Sequence, residues 1–325
     1  MGGFRQVAES MHQLCLSCGV KFQFDTSVTR VTDEGVFFVS KSSDGGGERK
    51  EGFLRADLVI CNADLPFATE TIVKPQSDNI NSYKESKLYV ETYDWNDKLD
   101  YSSGVIAFHW SISKTCDALN THNVLMCAKS RNDAINSWGV LHHDCNDGAS
   151  KSLLNQPFNF YVHRAAKTDE TAAPFGCDSI MALVPCPTLT RDRDLATLNK
   201  DDAIAGYNQQ FDAKVVDDVR KAVLQRLAVL EGLGDLDKLI LDEVIDTPAT
   251  YADYYNVGAG VPFALSHGLG QLSITRPGAE SQTHDNVLYV GASSRPGNGV
   301  PLVLIGARSV AKKAIQKLNS MAALR

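Results

Sequence analysis

The chain has 325 residues, 43% of them hydrophobic and 22% charged, with a formal net charge of −7. That is ordinary globular make-up, with length for one large or two interlocked domains. The acidic balance argues against nucleic acid as a partner, because neutralising phosphates needs a basic surface. No apolar run approaches the roughly eighteen residues of a membrane span, and Met1-Gly2-Gly3-Phe4-Arg5 has no signal or transit character, so no targeting peptide is expected in this chain.

In chain order, Phe4, Val7, Met11, Leu14 and Cys18 recur at helical spacing, and Gly19 is placed as a C-terminal stop. Cys15 and Cys18 form a C-x-x-C, but no second pair follows at zinc spacing. The cysteines, eight in all, are read as reduced thiols, and no metal is expected. His142-His143 with Asp144 and Cys145 is read as a solvated loop. Val20, Phe22 and Phe24 alternate as a strand, Val28 and Val31 continue an apolar edge, and Val36–Val39 gives another strand. Residues 42–52, with three successive glycines among charges of both signs, read as a flexible hairpin tip. Leu58-Val59-Ile60-Cys61 has the short β-branched character of a strand covered on both faces. It stops at Asn62-Ala63-Asp64-Leu65-Pro66, the strand end at which α/β sheets bind ligands.

From residue 76 to about 280 the texture changes. Tyr83 to Ser113 is rich in Tyr, Trp and Val and reads as sheet. Phe158, Phe160 and Val162 alternate, and residues 178–184 form an apolar strand. Val215, Val219, Val223 and Leu227 predict one long amphipathic helix between Asp201 and Leu230. Near the end, Val287–Val290 runs into Gly291-Ala292-Ser293-Ser294-Arg295-Pro296-Gly297-Asn298-Gly299-Val300-Pro301. A helix follows to about Leu318, with Val303, Ala307, Val310, Ala314 and Ile315 turned to the core. A strand, a glycine-rich turn and a helix start make a site suited to an anion such as a pyrophosphate. Pro301 fits a first helical position.

Four segments together resemble the FAD-dependent carotenoid desaturase and isomerase family of amine-oxidase-like flavoproteins, nearest to bacterial-type phytoene desaturases. They are the opening helix with Thr26-Ser27-Val28-Thr29-Arg30-Val31, and the strand ending in Asn62-Ala63-Asp64. The third is Phe160-Tyr161-Val162-His163-Arg164 with residues 168–187. The fourth is Leu288-Tyr289-Val290-Gly291-Ala292 with Pro296-Gly297-Asn298-Gly299-Val300-Pro301. The chain departs from the family pattern at Leu302, where a glycine is usual, and at Ser293-Ser294-Arg295. It supplies no strand–G-x-G-x-x-G–helix unit; Gly258-Ala259-Gly260 and Gly268-Leu269-Gly270 are the nearest runs. It therefore resembles the C-terminal portion of a longer enzyme, a split subunit or a truncated gene product.

The resemblance implies an α/β (α+β) fold. The two chain ends, 1–75 and 281–325, would form a partial Rossmann-like FAD layer, with a mixed sheet-and-helix substrate domain, 76–280, inserted between them. It implies FAD held by Val28, Asn62, Ala63, Asp64, Gly291, Ala292, Pro296, Gly297, Gly299, Val300 and Pro301, and substrate near His163, Arg164 and Arg276. For His163 and Arg164 a buried salt bridge to Asp169 or Asp178 is the competing expectation. The implied reaction is desaturation of a phytoene-like polyene by hydride abstraction from an allylic C–H, with quinone or oxygen as electron acceptor. The alternatives are carotenoid cis–trans isomerisation, a non-catalytic partner chain that cannot bind FAD alone, and oxidation of a small amine. No catalytic acid or base is identified. A substrate dissolved in lipid implies peripheral membrane contact, in the plastid of a photosynthetic eukaryote or at the cytoplasmic membrane face elsewhere. A second chain supplying the absent half is a further expectation.

Overall fold

The computed structural model describes residues 3–41, 49–73, 100–126, 129–137, 141, 157–189 and 200–323. The tip at 42–48, residues 83–99 of the expected sheet and the His142–Cys145 run lie outside them. The first elements are α1 (Gly3–Ser17), β1 (Thr26–Thr32), β2 (Gly35–Lys41), β3 (Arg49–Arg55), β4 (Val59–Cys61) and a turn of helix, α2 (Leu65–Phe67). Next come β5 (Gly104–Ile112), β6 (His122–Leu125), α3 (Arg131–Asn136), β7 (Phe160–Arg164), β8 (Asp178–Cys186), α4 (Lys200–Gln210) and α5 (Ala213–Leu227). The chain closes with α6 (Leu236–Leu239), β9 (Ile240–Asp246), α7 (Pro248–Tyr255), β10 (Val287–Tyr289) and α8 (Val300–Ala323).

These fall into two compact units, Met1–Lys21 with Ser103–Tyr254, and Phe22–Ser102 with Tyr255–Arg325. The division differs from the expected boundaries at 75 and 281. Residues 1–21 group with the inserted sheet, and Gly3 N–H donates to Asp169 Oδ2 (3.2 Å). Residues 255–280 group with the closing segment, because Ala279 accepts from Tyr289 N–H and Pro277 from Arg295 N–H.

The first unit is built on a five-stranded sheet, order β6-β7-β8-β5-β9, antiparallel throughout. Strict alternation in β8 sends Asp178, Ile180, Ala182, Val184 and Cys186 to the buried face. There they pack with Phe108, Trp110, Phe160 and Val162, and with Val219, Ala222, Val223 and Leu227 of α5. The single long helix expected between Asp201 and Leu230 is two helices. Asp212 takes extended backbone and its side chain accepts from Val215 N–H (2.9 Å), capping a new helix. The α1 helix ends as expected, with Gly19 at φ 82° and Val20 N–H donating back to Cys15 O (3.0 Å).

The second unit holds a three-stranded antiparallel sheet, β1-β2-β3, and a two-stranded parallel pair, β4 with β10. Between them pack Val31, Cys61, Leu65, Ile72, Leu265, Val287 and Tyr289. The strand expected at Val20–Phe24 does not form. Phe22 and Phe24 stack on each other (6.0 Å) with both side chains exposed, and Asp25 takes a left-handed φ of 52° before β1 begins. On α8 the buried stripe is Gly306, Val310 and Ala314. Ala307 and Ile315, expected in the core, are exposed, because the narrow contact with Leu288 admits one stripe only.

Asp212→Ala is expected to cost about 1 kcal/mol by removing the α5 cap, read as a lower urea midpoint at unchanged slope.

Candidate functional site

In-register parallel pairing, Val59↔Val287, Ile60↔Leu288 and Tyr289↔Cys61, points the carboxyl ends of β4 and β10 the same way. The Asn62-Ala63-Asp64 turn and the Gly291–Pro301 loop therefore emerge side by side, joined by Val290 N–H donating to Cys61 O (3.0 Å). Asn62 Oδ1 lies 3.4 Å from where a Cβ on Gly291 would sit. The structure thus brings Asn62, Ala63 and Asp64 beside Gly291 and Ala292 at the strand ends, where α/β sheets bind ligands, and Pro296, Gly297, Gly299, Val300 and Pro301 follow along the same loop to the start of α8.

Asp64 ties the two loops together. Its Oδ1 accepts from Ser293 Oγ (2.6 Å) and its Oδ2 from Gly258 N–H (2.8 Å). Burial raises its pKa, against these two bonds, the Leu65 N–H and the charge of Arg276. Arg276 itself has no exposed surface. Its Nε donates to Ala292 O (3.1 Å), Nη1 to Ser266 O (3.0 Å) and Gln271 O (3.2 Å), and Nη2 to Leu265 O (2.8 Å). Burial lowers its pKa, opposed by the charge of Asp64. With its guanidinium occupied in this way, Arg276 is an internal tie, whereas the resemblance implied a substrate contact.

The loop then delivers its backbone to the start of α8. Gly297 (φ 135°) and Gly299 (φ 94°) hold conformations that L side chains rarely adopt, and nothing lies within 4 Å of the place a Gly299 Cβ would take. Val300 and Pro301 are exposed, and Val303 N–H to Gly299 O (2.9 Å) is an early helical bond, so the first turn offers unpaired amides. At Gly306 a Cβ would stand 3.1 Å from both Arg295 O and Pro296 Cδ, so helix and loop approach closely there.

Val28 lies on β1, 40% exposed and paired with Phe38. His163 and Arg164 belong to the other unit, on β7. Arg164 is buried: Nε bonds Asp178 Oδ2 (2.6 Å), Nη2 bonds Asp117 Oδ1 (3.0 Å) and Nη1 bonds Leu119 O (3.2 Å). Of the two expectations the buried salt bridge is the one formed, and Asp178 is its partner. Hydrogen bonding from Arg164 holds the exposed Asp117 carboxyl below its ordinary pKa. His163 Nδ1 meets Thr121 O (2.9 Å), and its ring stacks on His122 at 5.2 Å.

Sequence reasoning missed Ser293, Gly258 and Gln271 as parts of this framework. Gln271 binds the backbone of Asp100 and Ser266 through its side-chain amide. The only signal was the Gln271…Arg276-Pro277 run. Among the described residues no cluster of His, Cys, Asp and Glu could hold a metal ion. The open cradle before Gly299, with a buried cation behind it, fits a phosphorylated cofactor such as FAD.

No protein-family model matches the chain. It is 30% identical to a phytoene desaturase of Neurospora crassa, over 97% of this chain and 48% of that protein. It is 27% identical to a zeta-carotene-forming phytoene desaturase of Myxococcus xanthus, over 96% and 51% respectively. With a 4,4'-diapophytoene desaturase of Staphylococcus haemolyticus the figures are 25% identity, 98% and 56%. These likenesses, each over nearly the whole chain, support a carotenoid desaturase-like FAD family. It spans about half the length of the curated relatives it matches.

Asp64→Ala is expected to leave Gly258 N–H and the buried Ser293 hydroxyl without their acceptor, at a cost of about 1–3 kcal/mol, measured by thermal denaturation. Arg164→Met is expected to cost more, about 3–5 kcal/mol, since it strands the buried Asp178 charge, and to do so without altering FAD affinity.

Proposed function

We propose that this chain is the FAD-loop and substrate-sheet portion of a carotenoid desaturase acting on a phytoene-like polyene. The observation that carries this reading is the crevice in which the Asn62–Asp64 turn and the Gly291–Pro301 loop meet at the carboxyl ends of a parallel strand pair. The names of the relatives support the substrate class, since each is a phytoene or diapophytoene desaturase.

We read β4, β10 and α8 as part of a Rossmann-like layer. Among the described residues nothing pairs with the second edge of β4, and Ile60 there is 48% exposed. A two-stranded parallel sheet is not self-sufficient. A further strand with its own glycine-rich turn would complete both sheet and cofactor site, supplied by the same or a second polypeptide.

When bound, oxidised FAD supplies the acceptor for the hydride taken from an allylic carbon. This chain's own residues bind and orient. Amides of the Gly297–Leu302 segment and the positive end of α8 favour the negative charge of the cofactor. The Asp64–Ser293 bond holds the loop against the strand ends, and Gly299 leaves its approach open. Re-oxidation by a quinone or oxygen, and peripheral contact with a carotenoid-bearing membrane (plastid or cytoplasmic), belong to the same proposal. Among the described residues no helix is long and apolar enough to cross a membrane.

The test is the visible spectrum of the chain after incubation with FAD and gel filtration, with and without a polypeptide carrying the strand–glycine turn–helix unit. Flavin bands that stay with the protein, together with desaturation of phytoene in liposomes, are the expected result. A colourless protein in both arms would overturn the reading. Gly299→Val, forcing a branched side chain into φ 94°, is expected to keep the fold at a cost of about 1–3 kcal/mol and to weaken FAD retention on the order of tenfold or more.

A further inference from the structure

Arg276 is a buried cation to which the proposed reaction assigns no step. Four carbonyl oxygens accept from its guanidinium, three from the Leu265–Gln271 segment and one from Ala292 in the glycine-rich loop. Its own carbonyl accepts from Arg295 Nε (2.6 Å), so the far side of that loop is tied to it as well. Beneath Gly297, the atoms Cδ and Cζ of Arg276 lie 3.8 Å from the place a Cβ would occupy. The loop rests on this side chain. A planar fork with five N–H groups can hold acceptors in several directions at once, which a lysine ammonium cannot reproduce. Carbonyls satisfy the hydrogen bonds without neutralising the charge. The charge of Asp64 acts on Arg276, but the Asp64 oxygens are engaged by Ser293 and Gly258.

We propose that Arg276 is the positioning residue of the Gly291–Pro301 loop: it fixes the loop before any ligand arrives, so that the amides ahead of α8 are already placed for FAD. The FAD half of this statement rests on the proposed function, and the loop-ordering half does not. A loop ordered in advance binds more tightly, because less conformational entropy is lost on association.

The experiment compares Arg276→Gln and Arg276→Lys with the unsubstituted chain. Amide hydrogen exchange is followed without ligand, and FAD affinity is followed by flavin fluorescence, with the complementary strand–turn–helix polypeptide present. Arg276→Gln is expected to raise exchange in residues 264–272 and 291–299 while β2 of the same unit keeps its protection. It is also expected to weaken FAD binding on the order of tenfold or more. Arg276→Lys, which keeps the charge but not the fork, is expected to fall between the two.

Unchanged exchange in the loop would overturn the proposal. A uniform rise that includes β2 would also overturn it, in favour of a general role in the core. Loss of loop protection with undiminished FAD affinity would show that the ordering does not serve the cofactor. Failure of the unsubstituted chain to bind FAD would remove the proposed function and the FAD half with it, while the exchange pattern would still decide whether Arg276 orders the loop.

Discussion

The site depends on one pairing, the parallel alignment of β4 with β10. The two strands are three residues long, yet their register places Asp64 and Ser293, 229 positions apart in the chain, within one hydrogen bond. Parallel strands cannot be joined by a tight turn, so their connection must travel. Here that connection carries the whole five-stranded sheet of the other unit. The carboxyl ends of both strands then open on the same side, and loop backbone rather than side-chain chemistry forms the crevice.

Two buried arginines show how much internal structure charge can organise without taking part in chemistry. Arg164 holds Asp178, Asp117 and a carbonyl at the end of β7. Arg276 holds four carbonyls under the glycine-rich loop. Buried charges persist where their polar atoms find partners, and every guanidinium nitrogen of both arginines has one, by different means. One is paired with carboxylates and the other with neutral dipoles. The second arrangement leaves positive charge beside a loop suited to an anionic cofactor, and this separates it from an ordinary salt bridge.

Much of the fold was legible in the sequence where a period was clear. The α1 helix and its Gly19 stop, the apolar strand β8, and the strand–turn–helix run into α8 follow from composition, spacing and glycine and proline chemistry. Phe22 and Phe24 alternate as strongly as any strand, but neither lies in a strand, because alternation is a pattern of side chains and a sheet is a pattern of backbone bonds. The break between α4 and α5 was hidden because Asp212 reads as one more polar position until its side chain is seen to cap. β9 went unseen because Leu241 and Val244, which would mark a buried face, are exposed.

The sequence by itself determined α1 and its stop, the strands that end at Cys61 and Tyr289, and the glycine-rich turn that opens α8. Those properties are local, set by side-chain spacing and by the backbone freedom of glycine. Only the tertiary structure decided that the two loops are neighbours, that Arg164 pairs with Asp178, and that Arg276 turns inward to four carbonyls. These depend on contacts between residues distant in the chain, and hydrogen-bond partners chosen by packing leave no period in the sequence to read.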